Sequence, residues 1–275
     1  MEEIARPDAE LCTLLLITRR LPRMRGAVRL AILARRFYLR KKRFPVLADV
    51  MGFKMKLDPE DWVQGGLLFW PQLWDFNEFE FLERNLRPGD TFLDVGAHVG
   101  FNSLRVSKLV GPSGFVLSVE AAPDLFRRLQ EHLEMNAIQN VRAVNFAASD
   151  CRATMNLSRP DIDNSAGRSI LSNDREGTLV QCVPLADLVR ECGLSKIAGG
   201  WFEIAGGEFK ALSRYFQDCD RSLWPGFLVV EHNLGWMPKA GGDVFALLNE
   251  LGYREQRIQL MPSEELSNRI FVLPS

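Results

Sequence analysis

From Thr91 onward, short apolar runs of β-prone residues alternate regularly with segments of helical periodicity. Strands are predicted at Thr91–Val95, Phe115–Val119 and Val141–Phe146, with helices at Phe101–Val110 and Pro123–Met135 between them. Alternation of this kind predicts parallel strands joined by crossover helices. The predicted fold class is therefore α/β, with a doubly wound, mostly parallel sheet that carries helices on both faces.

The second half of the chain continues this pattern. Trp201–Ile204 and Phe227–Val230 are the predicted fourth and fifth core strands. Tyr253–Ile258 and Arg269–Leu273 are predicted to form an antiparallel pair that closes the sheet. The polar stretch Cys151–Thr178 is predicted to form a hairpin and a loop over the sheet.

Two helices and a short β region are predicted before the alternation begins. Pro22 and Gly26 separate the helices, and the β region runs from Arg43 to Leu57, where Lys54 and Lys56 alternate with apolar residues. The predicted domains are a basic helical N-terminal extension at residues 1–45 and a main domain at residues 46–275, in which residues 46–90 precede the core.

Positive charge is concentrated at the N-terminus, although the whole chain has a net charge of -1. Residues 1–48 hold twelve Lys or Arg against four acids, which gives this segment +8 and the remainder -9. The apolar run Leu11–Ile17 is much shorter than the ~20 residues that span a bilayer. The basic residues follow this run, whereas in a signal peptide they precede it.

Two interpretations of the basic residues 19–43 remain open. They either contact a membrane surface or an acidic partner, or they form the solvated face of helices that pack on the main domain, which is the interpretation we favour. We expect a cytoplasmic protein, with peripheral attachment to a membrane as the alternative. The five cysteines form no C-x-x-C pair, which predicts a reducing compartment and no zinc site. We assign no metal.

A glycine loop lies between the first predicted core strand and its helix. The sequence from Asp94 to Gly100 has the pattern D-x-G-x-x-x-G, in which Gly96 permits a tight turn and Gly100 allows close approach of the helix and a ligand. A dinucleotide-binding loop would have G-x-G-x-x-G instead, which argues against a dinucleotide-dependent oxidoreductase. The acid before the first glycine suits a ligand with a cationic group better than a pyrophosphate.

Acids lie near the ends of all five predicted core strands. In a parallel sheet these ends meet at one edge, where ligands bind. A single acid there is usually a turn or cap residue, but five beside a glycine loop predict a ligand site. Glu120 is positioned to accept hydrogen bonds from ribose hydroxyls, and Asp150 is expected near an adenine. The acids are Asp94, Glu120, Asp150, Glu203 and Glu231, and His232 follows the last of them.

Six segments in order along the chain resemble the FkbM-type S-adenosylmethionine-dependent methyltransferases. This resemblance implies a seven-stranded class I fold with S-adenosyl-L-methionine as the cofactor. It also implies methyl transfer to a hydroxyl of a small-molecule acceptor, typically a sugar or secondary metabolite. The segments are LDPEDW at 57–62, LRPGDTFLDVGAHVGFNS at 86–103, VGPSGFVLSVEAAP at 110–123, LEMNAIQNVRAVNFAASD at 133–150, WFEIAGGEFKAL at 201–212 and PGFLVVEHN at 225–233.

The resemblance assigns roles to individual positions. It implies that the loop positions contact the methionine part of the cofactor. It also implies that Glu120 contacts the ribose and that Asp150 lies near the adenine. A hydroxyl acceptor must lose a proton, and the candidate bases near the predicted cleft are His232, Glu203 and Glu231. His132 is expected on the surface of its helix. The predicted cofactor residues are Asp94, Gly96, Ala97, His98, Gly100, Glu120 and Asp150.

The chain departs from the family pattern in two places. His98 stands where the family usually has Asn. At residues 201–208 the family pattern is close to K-x-D-x-E-G-x-E, and here Trp201, Glu203 and Ala205 replace its Lys, Asp and first Glu. These changes leave an alternative open, in which the chain is a degenerate methyltransferase fold that works as a binding module without catalysis. The acidic main domain would repel phosphate, and we therefore predict no nucleic-acid partner.

Overall fold

The computed structural model describes residues 6–24, 26–40, 44–158, 167–170, 176–231, 241–256 and 268–274. The elements before the core are helices α1 (Ala9–Thr18) and α2 (Ala27–Tyr38), hairpin strands β1 (Val46–Val50) and β2 (Phe53–Leu57), and helices α3 (Trp62–Phe69) and α4 (Phe76–Asn85). The predicted pair of N-terminal helices is therefore confirmed, and so is the β region that follows.

The core elements follow the predicted alternation closely. They are β3 (Thr91–Val95), α5 (Phe101–Val110), β4 (Phe115–Val119), α6 (Pro123–Met135), β5 (Val141–Val144), β6 (Ala147–Ser149), β7 (Ala153–Leu157), β8 (Thr178–Pro184), α7 (Leu185–Glu191), β9 (Gly199–Phe202), α8 (Glu208–Asp218), β10 (Phe227–Val230), α9 (Val244–Glu250), β11 (Arg254–Gln256) and β12 (Arg269–Val272).

The main sheet confirms the predicted doubly wound architecture. Among the described residues it contains seven strands in the order β11-β12-β10-β9-β3-β4-β5. All neighbours pair in parallel except β12, which runs antiparallel to β10 and β11. The strand order reverses between β3 and β9, where a doubly wound sheet forms its ligand crevice. The loops after these two strands therefore form the candidate site.

Helices cover both faces of this sheet. Apolar side chains of α4, α5 and α6 pack against one face, and those of α7, α8 and α9 pack against the other. Trp201, at the position where the family has lysine, is fully buried in the first of these layers. Its ring lies 5.5 Å from that of Phe79, measured between centroids. Trp201 therefore belongs to the core.

The polar stretch after β5 contains the predicted hairpin, because β7 and β8 pair antiparallel, while much of the predicted loop between them lies outside the described residues. The predicted third strand ends at Val144, and β6 then leaves the main sheet. It forms a separate sheet in the order β6-β8-β7, in which β7 and β8 are antiparallel. Asp150 follows β6 and is therefore separated by several residues from the end of the third core strand.

Two arginines of the basic extension attach α1 and α2 to the main domain. Arg19 donates to the carbonyl oxygens of Leu68 at 2.9 Å and Asp49 at 2.6 Å. The guanidinium of Arg35 is buried and donates to the carbonyls of Pro59 and Glu60 at 2.8 and 2.6 Å. None of the described helices has the length and apolar character needed to cross a membrane.

His132 is not on the surface, contrary to expectation. Its imidazole is fully buried between α6, the glycine loop and β2. Nε2 accepts from the Lys56 amide at 2.9 Å, and Nδ1 lies 2.7 Å from the Val99 carbonyl, an arrangement that fits the Nδ1–H tautomer. Lys56 is buried as well, because α6 covers this side of the hairpin, and its ammonium lies 3.7 Å from Glu131.

Candidate active site

The loop after β3 has an unusual backbone. Gly96, His98 and Gly100 all have positive φ, at 93°, 50° and 88°. The amides of Gly96 and Ala97 both donate to the carbonyl of Val119, at 2.8 and 3.0 Å. The loop is thereby folded over the end of the neighbouring strand β4, and the side chain of Ala97 is buried beneath it.

Close packing within the protein explains both glycines. A Cβ atom on Gly96 would lie 2.0 Å from the carbonyl oxygen of Glu203, at the end of β9. A Cβ atom on Gly100 would lie 2.4 Å from Cδ1 of Leu129 on α6. The expected tight turn at Gly96 is present. At Gly100, the protein group nearest to the position of a Cβ atom is the Leu129 side chain of α6.

Glu120 follows β4 and is held by the backbone through both carboxylate oxygens. Oε2 accepts from the His98 amide and Oε1 from the Ala122 amide, each at 2.7 Å. Burial raises the pKa of Glu120 to about 7, although these two hydrogen bonds favour the charged form. Each oxygen keeps a second acceptor position, and the carboxylate can therefore bind two hydroxyls of a ligand.

Asp94 lies beneath the loop and is fully buried. The hydroxyl of Ser103 on α5 donates to its carboxylate, and the Ser103 oxygen lies 2.8 Å from that of Ser118 on β4. Burial raises the pKa of Asp94 to about 6, against the effect of the Ser103 hydrogen bond. Asp94 thus ties the loop to the neighbouring helix and strand.

His98 faces a small group of charged residues. Burial lowers the pKa of its imidazole to about 4, an effect that Arg168 reinforces and the carboxylates of Asp61 and Asp124 oppose. The ring is therefore neutral near neutral pH and can donate or accept a hydrogen bond. Asn, the usual family residue, shares this property.

Asp150 is set apart from the other predicted cofactor residues. Its carboxylate lies 3.1 Å from the hydroxyl of Ser149. The described residues show no hydrogen bond that joins it to Glu120 or to the loop. Its predicted contact with the adenine region therefore stays a prediction.

Three glutamates crowd the other side of the crevice, after β9 and β10. Glu203 follows the end of β9, is open to solvent and accepts from the indole N–H of Trp201 at 3.3 Å. Glu231 accepts from the Ala205 amide at 3.2 Å, and Glu208 accepts from the Ile204 amide at 2.7 Å. The structure therefore brings the predicted candidates Glu203 and Glu231 together.

This crowding changes how readily the acids ionise. The protein around Glu203 raises its pKa well above the usual range by desolvation, and the nearby charges of Asp75 and Glu231 add to the effect. Burial, followed by the charge of Glu231, raises the pKa of Glu208 to about 8. Glu208 therefore retains its proton near neutral pH.

Sequence reasoning missed two residues that reach across the site. Arg168 makes a bidentate ion pair with Asp124 at the start of α6, with distances of 2.5 and 2.7 Å. The buried hydroxyl of Ser169 donates to the carbonyl of Ala205 at 2.8 Å. Both belong to a polar stretch without periodicity, which carried no signal for either contact.

His232, the third candidate base, lies outside the described residues. Within the described part of the chain, no group of three or more His, Cys, Asp or Glu side chains is arranged to hold a metal ion.

Comparison with known proteins identifies the family. The model of the methyltransferase FkbM domain matches residues 94–255. This range includes the glycine loop, Glu120 and the three glutamates of the acceptor side.

Individual relatives match over shorter stretches. The chain is similar to the protein-L-isoaspartate O-methyltransferases of Fervidobacterium nodosum, with 34% identity over 65 residues, and Methanococcus maripaludis, with 40% over 62. The matches cover 24% and 22% of this chain, and 32% and 29% of those proteins, so the chain spans about a third of each relative's length. The crystal structure of Aeropyrum pernix fibrillarin in complex with S-adenosyl-L-methionine has a TM-score of 0.43 and 12% identity, and covers 68% of this chain and 67% of that one.

The residues of the site fit the cofactor that such a family uses. Glu120 offers two carboxylate oxygens on fixed backbone supports, as a ribose diol requires. Asp94 and Glu120 place negative charge beside the glycine loop, which favours a sulfonium and disfavours a pyrophosphate. Because the family match covers 162 of 275 residues, the chain belongs to the FkbM methyltransferase family, and its cofactor is S-adenosyl-L-methionine.

Proposed function

We propose that this methyltransferase transfers the methyl group to a hydroxyl oxygen of a small, uncharged acceptor such as a sugar or a secondary metabolite. The observation that carries the proposal is the position of Glu203, exposed at the switch point of the sheet beside Glu231 and with a raised pKa. A raised pKa makes a carboxylate a stronger proton acceptor than an ordinary exposed carboxylate. A hydroxyl needs such a base because it must lose its proton on methylation.

The cofactor supplies an already activated methyl group, which leaves positioning and proton removal to the chain. Glu203 accepts the hydroxyl proton, and the indole N–H of Trp201 orients its carboxylate. The Ala205 amide fixes Glu231 beside it. Correct placement of the acceptor is worth about 7–11 kcal/mol in favourable systems, which makes these supports as important as the base.

The charge of the site supports an uncharged acceptor. The carboxylates of Glu203 and Glu231 would repel a phosphate or carboxylate, whereas hydroxyls donate well to carboxylates. The two relatives named above are O-methyltransferases, which supports an oxygen atom as the methyl acceptor.

An assay of methyl transfer from isotope-labelled cofactor tests the proposal. The acceptors are a panel of polyols, glycosides and phenols, with amines and an isoaspartyl peptide as competitors. Glu203→Gln should lower turnover at least 100-fold, in the range of general-base effects, and should flatten the acid limb of the pH profile. Cofactor affinity, measured by calorimetry, should change less than threefold. Glu250→Gln, an exposed acid on α9, is the matched control.

Two outcomes would count against the proposal. Methylation confined to amines or to the isoaspartyl peptide would replace the acceptor class. Full turnover in Glu203→Gln would remove Glu203 as the base, and His232→Gln and Glu231→Gln in the same assay would then identify which of the other candidates takes the proton.

A further inference from the structure

Helix α2 exposes large apolar side chains on the side that faces away from the protein. Leu30 and Leu33 are each 58% exposed and Phe37 is 46% exposed. Their spacing of three and four residues places them in one stripe along the helix. Leu16 and Ile17 at the end of α1 are exposed to a similar degree. Exposed apolar side chains are therefore present on both N-terminal helices.

Arginines run beside this stripe. Arg29, Arg36 and Arg40 are exposed and fall next to Leu33 on the helix surface, opposite the buried face that holds Ala31. The guanidinium of Arg40 lies 4.7 Å from the ring centroid of Phe37. Leu30, Leu33, Phe37, Arg29, Arg36 and Arg40 together are called the α2 face below.

The charge of this region is of one sign. In the sequence no Asp or Glu occurs between Leu11 and Ala48. Among the described residues, no salt bridge joins Arg29, Arg36 or Arg40 to an acid. Arg35, on the buried side of the same helix, is bonded to the carbonyls of Pro59 and Glu60. The main domain therefore holds α2 from behind, and the α2 face points outward.

We propose that the α2 face docks on an anionic lipid bilayer. A bilayer surface meets both needs of this face, because leucine and phenylalanine side chains enter the acyl boundary while arginines bind the headgroups. We prefer this proposal to a purely solvated basic face, because such a face would give no reason for Leu30, Leu33 and Phe37 to be exposed.

Other occupants fit the face less well. A nucleic acid or an acidic protein would pair with the arginines but leave no reason for a stripe of exposed leucines. A second copy of the chain would bring the same arginines face to face, because a two-fold interface is self-complementary. Charge complementarity and the apolar stripe together therefore favour the bilayer.

Vesicle co-flotation of the full chain tests the proposal, with vesicles of phosphatidylcholine alone and with 30% phosphatidylglycerol, a composition chosen on the order of that of anionic membranes. We expect binding to the anionic vesicles only, and weaker binding at high salt. Two triple variants of the α2 face should each lower the bound fraction about tenfold or more. The serine variant is Leu30→Ser/Leu33→Ser/Phe37→Ser, and the glutamine variant is Arg29→Gln/Arg36→Gln/Arg40→Gln. Two control variants should bind as the unmodified chain does. One is Leu179→Ser, at a residue 67% exposed on β8. The other is Lys108→Gln/Lys196→Gln/Arg254→Gln, at exposed residues elsewhere.

Near-UV circular dichroism of each variant establishes that it is folded. Absence of binding to both vesicle types overturns the proposal, and so does binding that survives both α2-face variants. If the chain bound a soluble acidic polymer as well as it binds the anionic vesicles, and the serine variant kept that binding, the partner would be an acidic macromolecule and the bilayer proposal would be overturned. A dimer in light scattering that the serine variant dissociates would point to a second copy of the chain, and would overturn the bilayer proposal as well.

Discussion

The two sides of the crevice hold their carboxylates in different ways. On the cofactor side, Glu120 accepts from two backbone amides and Asp94 from a serine hydroxyl. On the acceptor side, Glu203, Glu208 and Glu231 lie close enough for the charge of one to raise the pKa of another. One side is therefore organised for fixed hydrogen-bond geometry and the other for proton transfer.

The sides nevertheless meet at Gly96, and the largest expected effect comes from this contact. In Gly96→Ala the new Cβ would collide with the Glu203 carbonyl in addition to taking up a positive φ. We expect a loss of about 3 kcal/mol or more in the free energy of unfolding, measured with urea, and loss of both cofactor binding and turnover.

Gly52→Ala is the matched control for this variant. Gly52 has φ +87° with no atom near its would-be Cβ, and this substitution should cost only about 1 kcal/mol. Equal costs for the two variants would show that the close contact between Gly96 and Glu203 is unimportant.

Glu120→Ala should separate the two sides most cleanly. It removes both ribose acceptors and leaves the His98 and Ala122 amides without their partner, and hydrogen bonds to charged groups are worth about 1.5–3 kcal/mol. Calorimetry should therefore show cofactor affinity lower by about 100-fold, while the KM for the acceptor changes little. Glu134→Ala, at an exposed acid on α6, is the control and should leave the cofactor affinity and the acceptor KM unchanged. A large change of the acceptor KM in Glu120→Ala would contradict the separation of the two sides.

His132 makes the support of the cofactor loop sensitive to acid. Burial lowers its pKa to about 4, so the unfolded chain takes up a proton near pH 6.5 while the folded protein does not. Stability is therefore intact above pH 6.5 and is lost as the pH falls toward 4. At pH 5.5 the loss is on the order of 1 kcal/mol.

Urea unfolding of His132→Gln between pH 7.5 and 5 tests this expectation. In the variant, the free energy of unfolding should fall less steeply as the pH is lowered. Some fall should remain because folding also lowers the pKa of His98. An unchanged slope would mean that His132 is protonated in the folded protein.

The smallest effect is expected for Arg168→Gln. The ion pair with Asp124 is partly exposed, and such pairs contribute at most about 1 kcal/mol. Because this segment touches Asp124 on one side and Ala205 on the other, the Kd for the cofactor and the KM for the acceptor should both rise about threefold. Arg152→Gln, which breaks a surface pair with Asp187, should change neither constant.

The sequence allowed prediction of the sheet and of the acids at its edge for one physical reason. Strand ends in a parallel sheet share an edge, so that the order of strands and acids along the chain already brings Asp94, Glu120, Glu203 and Glu231 together. Contacts that depend on packing between distant segments could not be predicted. The bond from Lys56 to His132 joins residues 76 positions apart, and neither residue type indicates it.

Arg168 and Ser169 illustrate the same limit. Arg168 and Ser169 act through particular distances to α6 and to the chain after β9, and a polar stretch without periodicity contains no information about either. The exposed leucines of α2 are a third case. Composition showed apolar residues among arginines, but only the orientation of the helix showed that Leu30 and Leu33 face outward.

The hydrogen bond from Trp201 to Glu203 gives this protein a built-in optical reporter. A buried indole whose N–H lies 3.3 Å from a carboxylate changes its emission when that carboxylate gains or loses a proton. Comparison of the fluorescence of the whole chain with that of Trp201→Phe would isolate this signal from the other tryptophans. Charge at the acceptor side could then be followed during titration or acceptor binding without any added label.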